Sequence, residues 1–411
     1  DWKPFDRYTG KIKLSDGFVS VTFLMDGSEP LFNDFGGTLN HFNIALQKPV
    51  MLSGVDADWG ALARRNTGSI SYCRVYPASA ASVIQVDENS GLKNVGGLVG
   101  SNSGTLTECR AGLKDTILSI QNPIADTCTG GLIGRNTGKV SNQNSNYATS
   151  NISLSIVDTA GAGGLAGYNG NTAGIESIAS AVTIKTGDSD GSSRNIGGAV
   201  GHNEGGTIKV SNISADIQIT AGGTNVGGAV GWMQGGTLQS CTVVGSISAP
   251  DGTNVGGVIG NLTGSATVGS SYDKVSLGAG GALALDGKYN LLKVVVQGKE
   301  NVGGIVGSVD DANTTFGQLR LYSYSSITIG GTTNVGGFFG RYAGAQSPET
   351  LKLKMIGASN STIGITGSDE SETTGLICGS NSSGTTLALT ARDSSEKAPT
   401  VTVNGVTHPT E

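Results

Sequence analysis

Along most of this chain, short apolar runs alternate with glycine-rich polar turns, and one run keeps returning. Asn94-Val-Gly-Gly-Leu-Val-Gly100 recurs with small changes from Asn195, Asn225, Asn254, Asn301 and Asn334, and its paired-glycine core recurs at Gly130 and Gly163. Degenerate copies start at Gly60 and Gly375, making ten copies spaced 29 to 47 residues apart. Such a period marks a stacked architecture, in which each unit buries its apolar face against its neighbours. Three extended pieces can be read in each copy. The first is the core run, and the second follows an Asn-x-Gly-Thr turn, as in Leu106 to Ala111. The third precedes the next Asn, as in Ile213 to Thr220, where Ile213, Ile217 and Ile219 fall on nearly one face. No segment carries a helical period. Three strands per turn with glycine corners predict an all-β chain, a right-handed parallel β-helix or β-solenoid of about ten repeats.

The ends read differently. Residues 1–35 precede the repeats, and Ser15-Asp16-Gly17 between alternating segments predicts an N-terminal capping hairpin, with Trp2, Phe5 and Phe32 covering the first rung. Residues 36–390 carry the repeats. Asn404-Gly405 predicts a second hairpin, so that 391–411 closes the far end. The longest copy has an excess running from Ser270 to Gly298, which includes Tyr272 and Tyr289 and should protrude.

Two features of the repeat make specific demands. Asparagine tolerates left-handed backbone at a corner and bonds to an identical amide one rung away, so Asn94, Asn195, Asn225, Asn254, Asn301 and Asn334 are expected to form a structural ladder. Leu98 and Val99 are adjacent, and both head apolar columns. Since a strand alternates faces, a glycine bulge or a second layer must let both point inward.

Composition narrows the class. The 411 residues include 67 glycines without a Gly-X-Y register, which excludes collagen. Only 14% are charged and the net charge is −6 with no basic block, which argues against a nucleic-acid partner. No apolar run is long enough for a membrane span. The opening Asp1-Trp2-Lys3-Pro4 has no signal-peptide pattern, as expected of a cytosolic, mature or truncated chain. Five cysteines leave at least one unpaired within the chain. Cys73, Cys109 and Cys241 share a repeat position read as small and inward, and Cys73 and Cys109 lie in adjacent copies, where a bridge is conceivable.

The consensus Asn-Val-Gly-Gly-Leu-Val-Gly-x-Asn-x-Gly-Thr-Ile, fullest at 94–106 and 130–140, resembles the GLUG motif over about 36–390. Such repeats occur in secreted and surface-anchored bacterial proteins, including adhesin-like stalks and regions attached to immunoglobulin-cleaving peptidases. The resemblance therefore implies export and an extracellular or cell-surface location, and by itself implies no activity.

Catalytic signatures are thin. His41, His202 and His408 are far apart and form no His-Glu-x-x-His, and no serine lies in Gly-x-Ser-x-Gly. Asp188-Ser-Asp190-Gly191 is half of a calcium loop and reads as an ordinary turn, so no metal or cofactor is expected. A polysaccharide hydrolase or lyase on a β-helix would instead need carboxylates converging with a basic partner in one groove. Asp310-Asp311 and Gly201-His202-Asn203 supply only fragments of that. The residue after the last glycine of each core is more informative: Arg65, Ser101, Arg135, Tyr168, His202, Trp232, Asn261, Ser308, Arg341 and Ser380. Residues this large and polar predict an outward column, with Tyr168, His202 and Trp232 stacked in successive copies. With Arg135, Asn169 and Asn203 they form the expected ligand-binding strip for a host or bacterial surface glycan or a protein, unless the column merely braces neighbouring rungs. Together these features predict a non-enzymatic, adhesin-like display module.

Overall fold

The computed structural model describes residues 3–12, 20–54, 57–113, 115–142, 150–157, 159–186, 193–270, 272–278, 293–310, 313–344, 351–358, 360–368 and 373–410. The expected turn at Ser15–Gly17, the half calcium loop at 188–191, Asp311 and Tyr289 lie outside them. No α-helix occurs among the described residues. The strands pair in parallel from one copy to the next and stack as a β-solenoid of about nine turns. The one antiparallel pair of named strands among the described residues is Thr400–Val403 with Val406–His408. It turns at Asn404 (φ 46°) and Gly405 (φ 78°), the left-handed pair that an Asn-Gly hairpin requires, and Thr400–Val403 also pairs in parallel with Thr362–Thr366.

Two sheets are present, of 37 and 10 strands among the described residues. The smaller contains the first half of each core run, such as Asn94–Gly96, paired with Asp58–Trp59 before it and Cys128–Gly130 after it. The chain then bends at 97–98 and re-emerges as Val99–Asn102 in the larger sheet. This bend resolves the double apolar column. The amides of Leu98 and Val99 both donate to the carbonyl of Leu132 one rung on, at 3.0 and 3.1 Å, so two adjacent residues share one partner and Val95, Leu98 and Val99 are all fully buried.

The glycines let the two sheets meet backbone to backbone. A Cβ on Gly96 would stand 2.0 Å from the Val99 carbonyl oxygen and 2.7 Å from Gly134 N. One on Gly231 would stand 2.3 Å from Ile196 N in the smaller sheet. Neither space holds a methyl group. The remaining interior is mostly aliphatic, with aromatic side chains such as Phe32, Trp59 and Phe339 near the two ends, and with Cys73, Cys109 and Cys241 buried at the small inward position as free thiols.

Two amide ladders run inside this frame. Asn225 donates to Asn195 (2.9 Å), Asn254 to Asn225 (3.0 Å), Asn301 to Asn254 (2.9 Å) and Asn334 to Asn301 (2.8 Å). All five have φ between 53° and 59°. Asn94 stands apart from them. Its neighbours in register are Asp58 and Cys128, its amide donates to Asp58 Oδ1 at 2.6 Å, and its φ is not left-handed. The second ladder joins Asn66, Asn102, Asn136, Asn169 and Asn203, each donating to the next at 2.7 to 2.8 Å, with all five buried. It ends where Met233, Leu262, Val309 and Tyr342 fill the equivalent position with apolar bulk.

The N-terminal segment differs from the expected hairpin. Lys11–Ile12 pairs in parallel with Thr38–Asn40, Val21–Met25 with Phe42–Leu46, and Phe5–Tyr8 with Phe32–Phe35. These strands form a first coil rather than a hairpin. The segments on either side of the expected turn each find a parallel partner in the next rung instead of each other, and parallel register likewise places Phe5 on Phe32 (centroids 5.6 Å apart) and Tyr8 on Phe35 (5.8 Å).

Substitutions should rank by what they break. Asn136→Ala leaves the Asn102 donor and the Asn169 acceptor unpaired in the core and is expected to cost about 2–4 kcal/mol in urea unfolding. Asn254→Ala loses two amide bonds, about 1 kcal/mol each, plus the left-handed preference. Asn94→Ala loses one. Gly231→Ala forces the sheets apart and is expected to cost roughly 3 kcal/mol or more. Unchanged urea midpoints for Asn136→Ala and Asn254→Ala would show that the ladders contribute nothing.

Candidate functional site

The residue after each core glycine forms one column in the larger sheet. Asp34 is in register with Arg65, followed by Ser101, Arg135, Tyr168, His202, Trp232, Asn261, Ser308, Arg341 and Ser380. Strand alternation sends these side chains away from the apolar core. It also sends the next residue inward, which corrects the expectation for Asn169 and Asn203. Both are fully buried in the second ladder, and neither can reach a ligand.

Arg135, Tyr168, His202 and Trp232 do come together. The Arg135 guanidinium carbon lies 4.1 Å from the centroid of the Tyr168 ring. His202 meets that ring edge-on at 5.3 Å and stacks on Trp232 at 4.3 Å with planes 9° apart. Trp232 Nε1 donates to Thr263 Oγ1 at 2.9 Å, Tyr168 OH donates to Glu204, and His202 Nε2 sits 3.3 Å from Gln234 Oε1. Side chains on successive rungs are close enough for neighbouring rings to cover one another's faces. Tyr168 is consequently only 8% exposed, and the strip presents ring edges and the exposed Arg135 guanidinium. The facing sides of His202 and Trp232, which a sugar could otherwise stack on, are already in contact within the column, and the other neighbour of Trp232 in register is Asn261.

The electrostatics follow from this packing. Burial, reinforced by the bond to Glu204, pushes the Tyr168 phenol up to about 12 despite the opposing Arg135. Burial also holds the His202 imidazole below its usual range, against the pull of Gln234 and Glu204, so the ring stacked on Trp232 is neutral at pH 7. At the far end Ser308 donates to Asp310 at 2.9 Å, and Asp310 pairs with Arg341, which closes the column there.

A second cluster was not legible in the sequence. Near the first coils a cavity of ≈ 420 Å³ is lined by Asp6, Asn33, Asp34, Ala57, Asp58, Arg64 and Arg65. Three carboxylates and two guanidinium groups meet there, the convergence an acid–base enzyme would need. Each is already engaged. Arg65 grips Asp34 with two bonds (2.6 and 3.0 Å), Asp6 accepts from Asn33 (3.0 Å), Asp58 from Asn94 (2.6 Å), and Arg64 pairs with Glu29 (3.0 Å). Asp34, hidden in the segment before the repeats, belongs to the outward column only because that segment forms a coil. No group of three or more His, Cys, Asp or Glu among the described residues is arranged to hold a metal ion. No helix among them is long and apolar enough to cross a membrane.

Fold and column define a class, a repeat protein built as a parallel β-solenoid with one continuous outward polar and aromatic row. No protein family, curated protein or solved structure matches the chain.

The half-buried neutral imidazole of His202 has a measurable consequence. Because its folded pKa lies below 6.5, the unfolded chain takes up the proton first as pH falls. The stability that the neutral ring contributes is therefore complete above pH 6.5 and is lost as pH falls through the folded value. An NMR titration of His202 should have its midpoint below that of free histidine. A midpoint at or above 6.5 would exclude the stacked neutral ring.

Proposed function

We propose that this chain is a non-enzymatic, exported, adhesin-like module that displays a binding surface for a glycan or protein along the outward row from Asp34 to Ser380. The observation that carries this reading is the row itself. Ten successive in-register steps along the rod place polar, cationic or aromatic side chains on one line, while the adjacent inward positions go to ladders and core. An extended ligand lying parallel to the axis would meet the Arg135 guanidinium and the edges of His202 and Trp232 at neighbouring rungs. The resemblance of the repeat to the GLUG motif supports an extracellular or cell-surface setting.

The alternative reading, cleavage of a polysaccharide, rests on one observation, the carboxylates and guanidinium groups that line the N-terminal cavity. One set of measurements separates the two. A glycan array with the purified chain is expected to yield binding without release of reducing sugar from any hit. Release abolished by Asp34→Asn would establish the enzyme instead.

Trp232→Ala removes a stacked ring and a hydrogen bond, so it should lower both stability and affinity. Arg135→Ala is the cleaner variant, since an exposed guanidinium is lost whose main contact is the cation–π one with Tyr168, worth about 0.5–1 kcal/mol at an exposed site. Its affinity for the array hit should fall by about 1–3 kcal/mol, the range of a central contact, with a nearly unchanged melting curve. Full affinity in both variants would show that the column only braces the rod.

A further inference from the structure

A different strand of the coil carries an unbalanced group of cations. Lys274, Gln318 and Lys352 are in register on three successive rungs, and Ser276, Arg320 and Lys354 stand two residues further along the same strands. Like charges directly opposite each other repel, so Arg320 beside Lys354 requires compensation. Part of it comes from residues 389–397, which cross this face. Leu389 bridges to Leu353, and Asp393 and Glu396 each accept from Lys354 at 3.0 Å. The pairing holds the Asp393 carboxyl below its ordinary range.

That clamp leaves positive charge over. Between strands and crossing segment lies a cavity of ≈ 360 Å³ lined by Lys274, Gln318, Arg320, Lys352, Lys354, Thr390, Ala391 and Asp393, four cations against one carboxylate. Lys274 and Lys352 are exposed and make no ion pair within 4.0 Å among the described residues. Arg320 reaches Gln318 (3.1 Å) and approaches Glu396 (3.9 Å) through Nη2, while its buried Nε has no hydrogen-bond partner among the described residues. A buried guanidinium N–H without an acceptor is costly unless a ligand supplies one. Arg320 also lines an adjoining cavity of ≈ 210 Å³ with Ser276, Tyr322, Ile356 and Glu396. One side of Arg320 thus offers cations and amide or hydroxyl groups. The other offers an aromatic ring, an aliphatic side chain and the Ser276 hydroxyl, beside a Glu396 carboxylate already held by Lys354.

From this juxtaposition we propose a second binding site, for an acidic saccharide. The sulfate or carboxylate group lies among Lys274, Arg320 and Lys352, and the attached sugar ring lies toward Tyr322 and Ile356. The oxyanion accepts from the guanidinium and both ammonium groups, which are charge-assisted bonds, and the ring packs on an amphipathic surface. The site is independent of the outward row, so the failure of either leaves the other standing.

The test is titration calorimetry on the whole chain at about 0.15 M ionic strength. The probes are a sulfated oligosaccharide, its desulfated form, a uronate oligosaccharide and inorganic sulfate. Either acidic oligosaccharide should bind more tightly than inorganic sulfate, and the desulfated form should not bind. Lys352→Gln alters an exposed side chain and should fold normally. It and Arg320→Gln should each weaken binding at least ~10-fold, whereas Lys139→Gln, an exposed lysine on another strand, should have no effect. Tyr322→Ala should weaken the oligosaccharide and leave inorganic sulfate unchanged. Absence of binding, equal losses from Lys352→Gln and Lys139→Gln, or inorganic sulfate binding as tightly as the oligosaccharides would each overturn the proposal.

Discussion

The structure depends on a distance. The ten short strands of the smaller sheet lie so close to the larger one that no side chain fits at the repeated glycines, and Gly96 and Gly231 are pressed against carbonyl and amide groups of the opposite layer. Backbone at that distance brings little apolar side-chain area into contact, so cohesion must come from elsewhere. It comes from the Val95, Leu98 and Val99 columns flanking the arch, and from hydrogen bonds running along the axis between identical positions. Glycine loses the most conformational freedom on folding, and 67 of them make the unfolded chain entropically attractive. A stack of cooperative rungs is the arrangement that repeats the same favourable contact often enough to offset this.

The amide ladders show how the sequence drifts without breaking that arrangement. One ladder serves the rungs from Asn66 to Asn203 and the other those from Asn195 to Asn334, and they overlap in a single copy. Where the first ends, Met233, Leu262, Val309 and Tyr342 take its place with apolar bulk. Where the second has not begun, Cys128 and Gly161 occupy the corner column. A lone buried asparagine would be a liability in either column, because an amide needs partners on both sides. The polar residues therefore come in uninterrupted runs, and Asn94, isolated from such a run, bonds to Asp58 instead.

Much of this was legible in the sequence, and the reason is periodicity. Identical spacing of Gly-Gly cores specifies parallel, in-register stacking, so the whole outward column from Arg65 to Ser380 followed from counting. Facing was harder. Asn169 and Asn203 follow Tyr168 and His202 directly, and alternation alone places them inside, yet a polar residue beside an aromatic one invites the opposite reading. The first coil was masked because Phe5 to Tyr8 and Val21 to Met25 lack the glycine core, and an Asp-Gly pair between alternating segments has the pattern of a hairpin. The N-terminal cavity followed from that coil and was hidden with it. The cationic face has no local motif at all. Lys274, Arg320 and Lys354 are separated by 34 to 80 residues and meet only through register.

Stacking also constrains what any solenoid surface can offer. Rungs repeat at a separation of about 4.8 Å, close to the contact distance of two aromatic rings, so rings in register satisfy each other before they meet a ligand. His202 and Trp232 do this at 4.3 Å. Cations in register cannot. Arg320 beside Lys354 gains nothing from its neighbour, and full compensation must come from outside the column. The same spacing that makes an aromatic column self-sufficient leaves a cationic column with unmet demand. By that argument the charged face around Lys352, rather than the aromatic strip, has the stronger physical need for a partner.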